Sequence, residues 1–356
     1  MFKLFKRATP IALALQGGGA HGAFTWGVLD RLLEDGRFPI AAISGTSAGA
    51  LNAVALASGL LDGGHDGARA ALKRLWQAVG TQVPFEAFTV GSADRPGIAP
   101  VARAWMQWTR LLAPHQLNPL GLNPLRNVLV KQIDFERLRA ESRVKLFIAA
   151  THANSGRLRL FSNAELSADA VLASACLPTL QPAVQIDGEP YWDGGYSANP
   201  ALFPLVRSGV ADLLIVWLSP LVYARSPVSA EEIRERALEF GFNATFLREA
   251  HMLGELSASA RQSAWPFGLL ARLRTHLIDA HDALSDLPQE TKLIAHGPSS
   301  SASASADACV RRPGWTLRGR VWASRRRRIW LRSSARRAHT PAVSSNENSV
   351  IGLVSL

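Results

Sequence analysis

Three short stretches hold residue types that could do covalent chemistry together. Ser47 stands in "GTSAG", Gly45 to Gly49, a G-x-S-x-G pattern in which two glycines let the chain turn sharply and leave the serine exposed. A serine hydroxyl is a poor nucleophile until a neighbouring base takes its proton. Two "DGG" sequences offer a carboxylate for that task, at Asp62 and at Asp193. Asp62 directly follows the helical run "ALASGLL" and reads as part of a helix-terminating turn. Asp193, in "YWDGGYSANP", stands at the end of an aromatic-rich strand, where catalytic groups of α/β folds gather, and is preferred; an Asx-turn without catalytic work is its plainer reading. The chain has nine histidines, and no one of them is singled out by sequence as a third member. The third stretch is "LALQGGGAHGAF", Leu13 to Phe24, where Gly17, Gly19 and Gly22 satisfy G-x-G-x-x-G.

These residues are useful only if regular elements bring them together. "IALAL" (11–15) is short and apolar on both faces, as a buried parallel strand should be, and a helix follows with Phe24, Val28, Leu29 and Leu32 at helical spacing, ending near Gly36. A second strand, "IAAIS" (40–44), leads into "GTSAGALNAVALASG", whose small residues suit a helix packed closely on a sheet. Strand, helix, strand, helix within 60 residues is the pattern of an α/β fold with a parallel sheet. A dinucleotide fold would need an acid at the end of the second strand to hold the ribose; that strand ends in Ser44, Gly45, Thr46, Ser47. The two loops would instead lie side by side at the carboxyl ends of adjacent strands. Amides of Gly17 to Gly19, with that of Ala48 at the start of the following helix, would then face the oxyanion made when Ser47 attacks a carbonyl.

Further along, 66–80 reads as a helix and 81–100 as a connection interrupted by proline and glycine. In "VARAWMQWTRLLA" (101–113), Val101, Trp105, Trp108 and Leu112 share one helical face. Such a helix packs on the core as a cap, or serves as a lid or membrane-surface helix. "VKLFIAATHA" (144–153) and "RLRLFS" (157–162) read as a strand hairpin, "SADAVLASACLP" (167–178) as a helix opened by a serine cap, and "ADLLIVWLS" (211–219) as a buried strand. Turn signals stand at Asp187-Gly188 and Asp193-Gly194, and the pattern from Glu231 to about Leu287 is helical.

The three motifs, in this order, resemble those of the patatin-like phospholipases. "GGGAHG" is similar to that family's oxyanion loop, "GTSAG" to its nucleophile elbow and "DGG" at 193–195 to its aspartate motif. The resemblance implies a three-layer α/β/α fold with a mostly parallel central sheet and a Ser-Asp dyad in place of a triad. The implied activity is metal-free, cofactor-free hydrolysis of fatty-acyl esters in phospholipids or lysophospholipids. Carried onto this chain, Ser47 is the nucleophile and Asp193 the base. Gly17, Gly18, Gly19, Gly22 and Ala48 build the oxyanion hole, and Gly45 and Gly49 are the elbow glycines. One departure is His21, where the family often has Arg or Lys.

With 356 residues, 47% of them apolar, the chain can bury a large core. Its net charge of +11 sits almost wholly in residues 298–356, which hold eleven arginines, no lysine and two acids, so no nucleic-acid partner is expected of the rest. The expected organisation is an acyl hydrolase domain at 8–297, with a helical cap or insertion at 85–135. Residues 298–356 form a low-complexity Arg-rich tail, expected to be disordered. Cys176 and Cys309 are too few for a disulfide framework and fit a reducing compartment, and no apolar run of about 18 residues is present. The expected location is cytoplasmic, with lipid or ester as partner and peripheral membrane contact through the Trp105/Trp108 helix or the tail as an open alternative.

Overall fold

The first strand, β1 (Ile11–Leu15), is buried at every position, and two parallel neighbours explain why. It pairs with β2 (Ile40–Thr46) on one side and β9 (Asp212–Trp217) on the other, so neither edge nor face meets water. In the computed structural model the described residues are 9–280, apart from 83–88, 93–94, 99–111, 119–121, 224 and 263–267. They fall within one compact unit.

Between β1 and β2 runs α1 (Gly22–Asp35), which stops at Gly36, a glycine at φ 67°. After β2, α2 (Ala48–Gln82) begins at once; it breaks at Gly63 and Gly64, so Asp62 ends its first part. The connection at 81–100, expected to be irregular, contains an antiparallel pair, β3 (Thr89–Ser92) with β4 (Arg95–Ile98). Short helices α3 (Pro114–Leu117), α4 (Pro124–Gln132) and α5 (Phe135–Glu141) lead to β5 (Lys145–His152) and β6 (Leu158–Ser162). Helix α6 (Ala168–Ser174) is capped by Ser167, whose hydroxyl accepts the Ala170 amide at 3.1 Å. β7 (Val184–Ile186) and β8 (Glu189–Asp193) form a hairpin turned at Asp187 and Gly188, both at positive φ, as a two-residue turn of the I′ kind requires. Then come α7 (Phe203–Arg207), β9, the long α8 (Ala230–Gln262), α9 (Gly268–Arg272) and β10 (Arg274–Asp279).

The main sheet has the order β10-β9-β1-β2-β5-β8-β7, with β6 also on β5. Its five strands from β10 to β5 are parallel, while β6, β7 and β8 join antiparallel. Helices cover both faces. Ala12, Ala14, Leu213, Ile215 and Trp217 pack against α7 and α8, where Trp217 stacks on Phe246 at 4.3 Å, a pair worth about 1 kcal/mol beyond its area. Leu13, Leu15 and Ile43 alternate to the opposite face, which α2 covers with α1 packed on it.

The helical reading of 231–287 is corrected by β10. "RTHLID" is a parallel edge strand, and exposure at half of its positions deprives it of the apolar run that marks β1 and β9. Its charges are taken up locally: Arg274 and His276 both bond Asp212 on β9. The Trp105/Trp108 helix and the tail at 298–356 lie outside the described residues. Among the described residues, no helix is long and apolar enough to cross a membrane.

Candidate active site

Parallel pairing sets the glycine loop and the serine elbow side by side, because Leu15, the last residue of β1, is in register with Gly45 near the end of β2. At the elbow the backbone of Ser47 is left-handed, φ 53°. That conformation costs a non-glycine residue on the order of 1–2 kcal/mol, so the surroundings must hold it. Its carbonyl accepts the Ala50 and Leu51 amides at 2.9 and 3.1 Å, and its own amide donates to Ser174 Oγ at 2.9 Å. Added Cβ atoms would stand 2.5 Å from the Gly49 carbonyl oxygen at Gly45 and 2.1 Å from the Leu15 carbonyl oxygen at Gly49. The close crossing of elbow and β1 therefore needs both glycines. Ala48 is the first residue of α2, where an amide has no acceptor within the helix and meets the positive end of its dipole.

Asp193 arrives from the other direction. It ends β8 opposite Ala150 of β5, while Thr46, beside the serine, is opposite Ala149 of the same strand. The Ser47 hydroxyl stands near enough to its carboxyl group to favour the charged form, and the Gly195 amide donates to Oδ1 at 2.7 Å. The side chain is 2% exposed, and this burial pushes the carboxyl up to about 7 against the pull of those two groups. Asp62, the rejected alternative, is exposed and paired with Arg137 at 2.8 Å.

The segment that carries Asp193 also holds the other two loops. The Ala198 carbonyl accepts from Thr46 Oγ1 at 2.8 Å, and Asn199 Oδ1 accepts from the Gly17 amide at 2.8 Å. The expectation for Gly17 is corrected by this last bond: its amide is turned onto Asn199, and Gly17 shapes the loop without facing a reacting carbonyl. Gly18 precedes a 3-10 turn, Gly19 to His21, that runs into α1. Gly22, the first residue of α1, lies where an added Cβ would be 2.6 Å from Ala48 Cβ, so it brings α1 against α2. Asn52, buried, bridges the same junction, donating to the Gly22 and Ala48 carbonyls and accepting from Trp76 Nε1. His21 is buried in the 3-10 turn.

Three supports were missed in the sequence. Asn199 stands before a proline and Ser174 inside an otherwise apolar helix, and neither position marks the residue as a partner of the site. Gln16, fully buried after β1, donates to Ser219 Oγ and Asn243 Oδ1 and accepts from the Leu218 and Ser219 amides, tying β1, β9 and α8 behind the glycine loop. Only a polar residue at the end of an apolar strand hinted at it. Among the described residues, no three His, Cys, Asp or Glu side chains are grouped to hold a metal ion.

The profile of the family described as "Patatin-like phospholipase" matches residues 13–206, over half of the chain and all three motifs. The chain belongs to the patatin-like phospholipase family. Among solved structures, this patatin-like chain is similar to VipD from Legionella pneumophila, at 14% identity and a TM-score of 0.36, covering 84% of this chain and 67% of that one. It is also similar to ExoU of Pseudomonas aeruginosa, solved in complex with SpcU, at 16% identity and a TM-score of 0.28, covering 86% of this chain and 53% of the other. The chain thus spans about half the length of that ExoU. No curated protein matches it.

Proposed function

We propose that this patatin-like protein is a serine acyl hydrolase that cleaves fatty-acyl esters of phospholipids or lysophospholipids. The observation that carries the reading is the Ser47 hydroxyl, presented on a left-handed elbow beside the buried Asp193 carboxyl group.

In the reaction, ionised Asp193 accepts the Ser47 proton as Oγ attacks the ester carbonyl. The oxyanion is held by the Gly18, Gly19 and Ala48 amides, each well-placed donor being worth roughly 3–4 kcal/mol. Collapse expels the alcohol, which takes the proton back from Asp193, and leaves an acyl-Ser47 ester. Water, deprotonated by Asp193, then releases the fatty acid and restores the serine. A carboxyl group titrating near neutrality suits both halves of this exchange, since it must take a proton and return it.

The test is a hydrolysis panel of phospholipids, lysophospholipids, neutral glycerides and short esters, run on wild type beside Ser47→Ala. Release of fatty acid from a phospholipid or lysophospholipid by wild type alone supports the reading. Equal rates for the two proteins, or no hydrolysis of any member, overturn it.

A further inference from the structure

Helix α8 lies wholly beyond the residues matched by the family profile, yet it reaches the aspartate. A Cβ built on Gly195 would stand 2.0 Å from Phe242 Cδ1 and 3.1 Å from Asp193 Oδ1, so the ring edge lies no farther from the carboxyl oxygen than those two distances together. The Phe242 ring also packs on Tyr196, centroids 4.5 Å apart. The core has its own anchor one turn on, in Phe246 against Trp217, whereas Phe242 stays partly exposed.

We propose that Phe242 is a positioning residue of the reaction: from α8 it closes the Gly194–Tyr196 turn and keeps water off the Asp193 carboxyl group. The inference rests on the acyl-hydrolase reading for its functional meaning, but not for its geometry. An apolar ring at this distance takes the place of solvent that would otherwise favour the ionised form, and Gly195 has no side chain so that the ring can come so close. Burial is the first cause of the raised Asp193 carboxyl, and an apolar ring this close adds to burial of that kind.

The elements packed around this turn carry other groups. Tyr196, on the same turn, has its phenol pushed up by burial and by Asp193, and Cys176, after α6, has a thiol that burial pushes up to about 11. Glu239, one turn before Phe242 on α8, accepts from Tyr223 OH. From β5 come Ala149, Ala150 and Thr151, while His152 is bonded to Glu189 and Ser155. The elbow contributes the Ser47 hydroxyl, and the glycine loop carries His21.

The experiment is carbon-13 NMR of aspartate-labelled full-length protein, with Asp193→Asn identifying the resonance, alongside the pH profile of kcat/KM. In wild type the Asp193 carboxyl is expected to titrate at about 7. In Phe242→Ala the midpoint is expected to fall by about one pH unit, with the rise in kcat/KM moving with it, and Phe242→Leu is expected to stay close to wild type. If the alanine variant loses its fold, Phe242→Gln, which keeps the reach of the side chain but brings polarity, is expected to lower the midpoint in its place. An Asp193 midpoint that Phe242→Ala or Phe242→Gln leaves unmoved overturns the proposal. The NMR midpoint needs no turnover, so the two ideas fail separately. A shifted midpoint in a protein that hydrolyses no ester upholds the shielding and sinks the hydrolase reading. An unshifted midpoint in an active enzyme does the reverse.

Discussion

Asp193→Asn should abolish turnover and yet make the protein more stable at pH 8. The carboxyl titrates at 3.8 in the unfolded chain and at about 7 in the fold, where burial penalises its charge. For an acid raised in this way the folded state binds the proton more tightly, so stability is lost as pH rises between the two values and is level above the higher one. A gap of about three pH units at about 1.4 kcal/mol each gives about 4 kcal/mol as the upper estimate of the cost of the native carboxylate. Asparagine has nearly the same shape and keeps a carbonyl oxygen for the Gly195 amide, so the variant sheds the charge with little loss of bonding. The assay is urea unfolding of both proteins from pH 4 to pH 8.5. The variant is expected to gain on wild type steadily from about pH 4 to about pH 7, by up to about 4 kcal/mol, and the gap is then expected to stay constant. A gap that does not change with pH, or a wild type that is the more stable protein at pH 8, refutes the reasoning.

The same titration predicts that kcat/KM for a neutral ester rises with pH through about 7, because only ionised Asp193 can accept the Ser47 proton; a profile flat from pH 5 to pH 9 contradicts it. Asn199→Ala removes the acceptor of the Gly17 amide and should lower kcat roughly 10- to 100-fold, in keeping with about 1.5–3 kcal/mol for a buried bond lost beside the reacting loop, with Asn199→Asp recovering part of it; steady-state kinetics on the three proteins decides. Gly49→Ala would drive a methyl to 2.1 Å from the Leu15 carbonyl oxygen, and should yield unfolded or insoluble protein, which circular dichroism and expression level would show.

Legibility in the sequence followed burial. β1 and β9 were plain because apolar residues fill both of their faces, and Gly36 ended α1 where its left-handed backbone was needed. β10 was misread because an edge strand with exposed charges lacks that run, and its place is fixed by Asp212 across the ladder. The serine and the aspartate stood out because a sharp turn needs glycines close to them in the chain. Their supports did not: Asn199 and Gly17 are 182 residues apart, and Ser174 and Ser47 are 127 apart, so only the folded register joins them. The amide of Gly17 shows the limit most clearly. Its glycine was legible, but the direction of its N–H depended on a distant side chain.

The central claim is that Ser47 is the nucleophile, and covalent labelling tests it most directly. Wild type treated with a fluorophosphonate probe is expected to carry one adduct, located on Ser47 by peptide mass spectrometry, and Ser47→Ala is expected to carry none. An unlabelled wild type, or a Ser47→Ala protein labelled as well as wild type, would contradict the account.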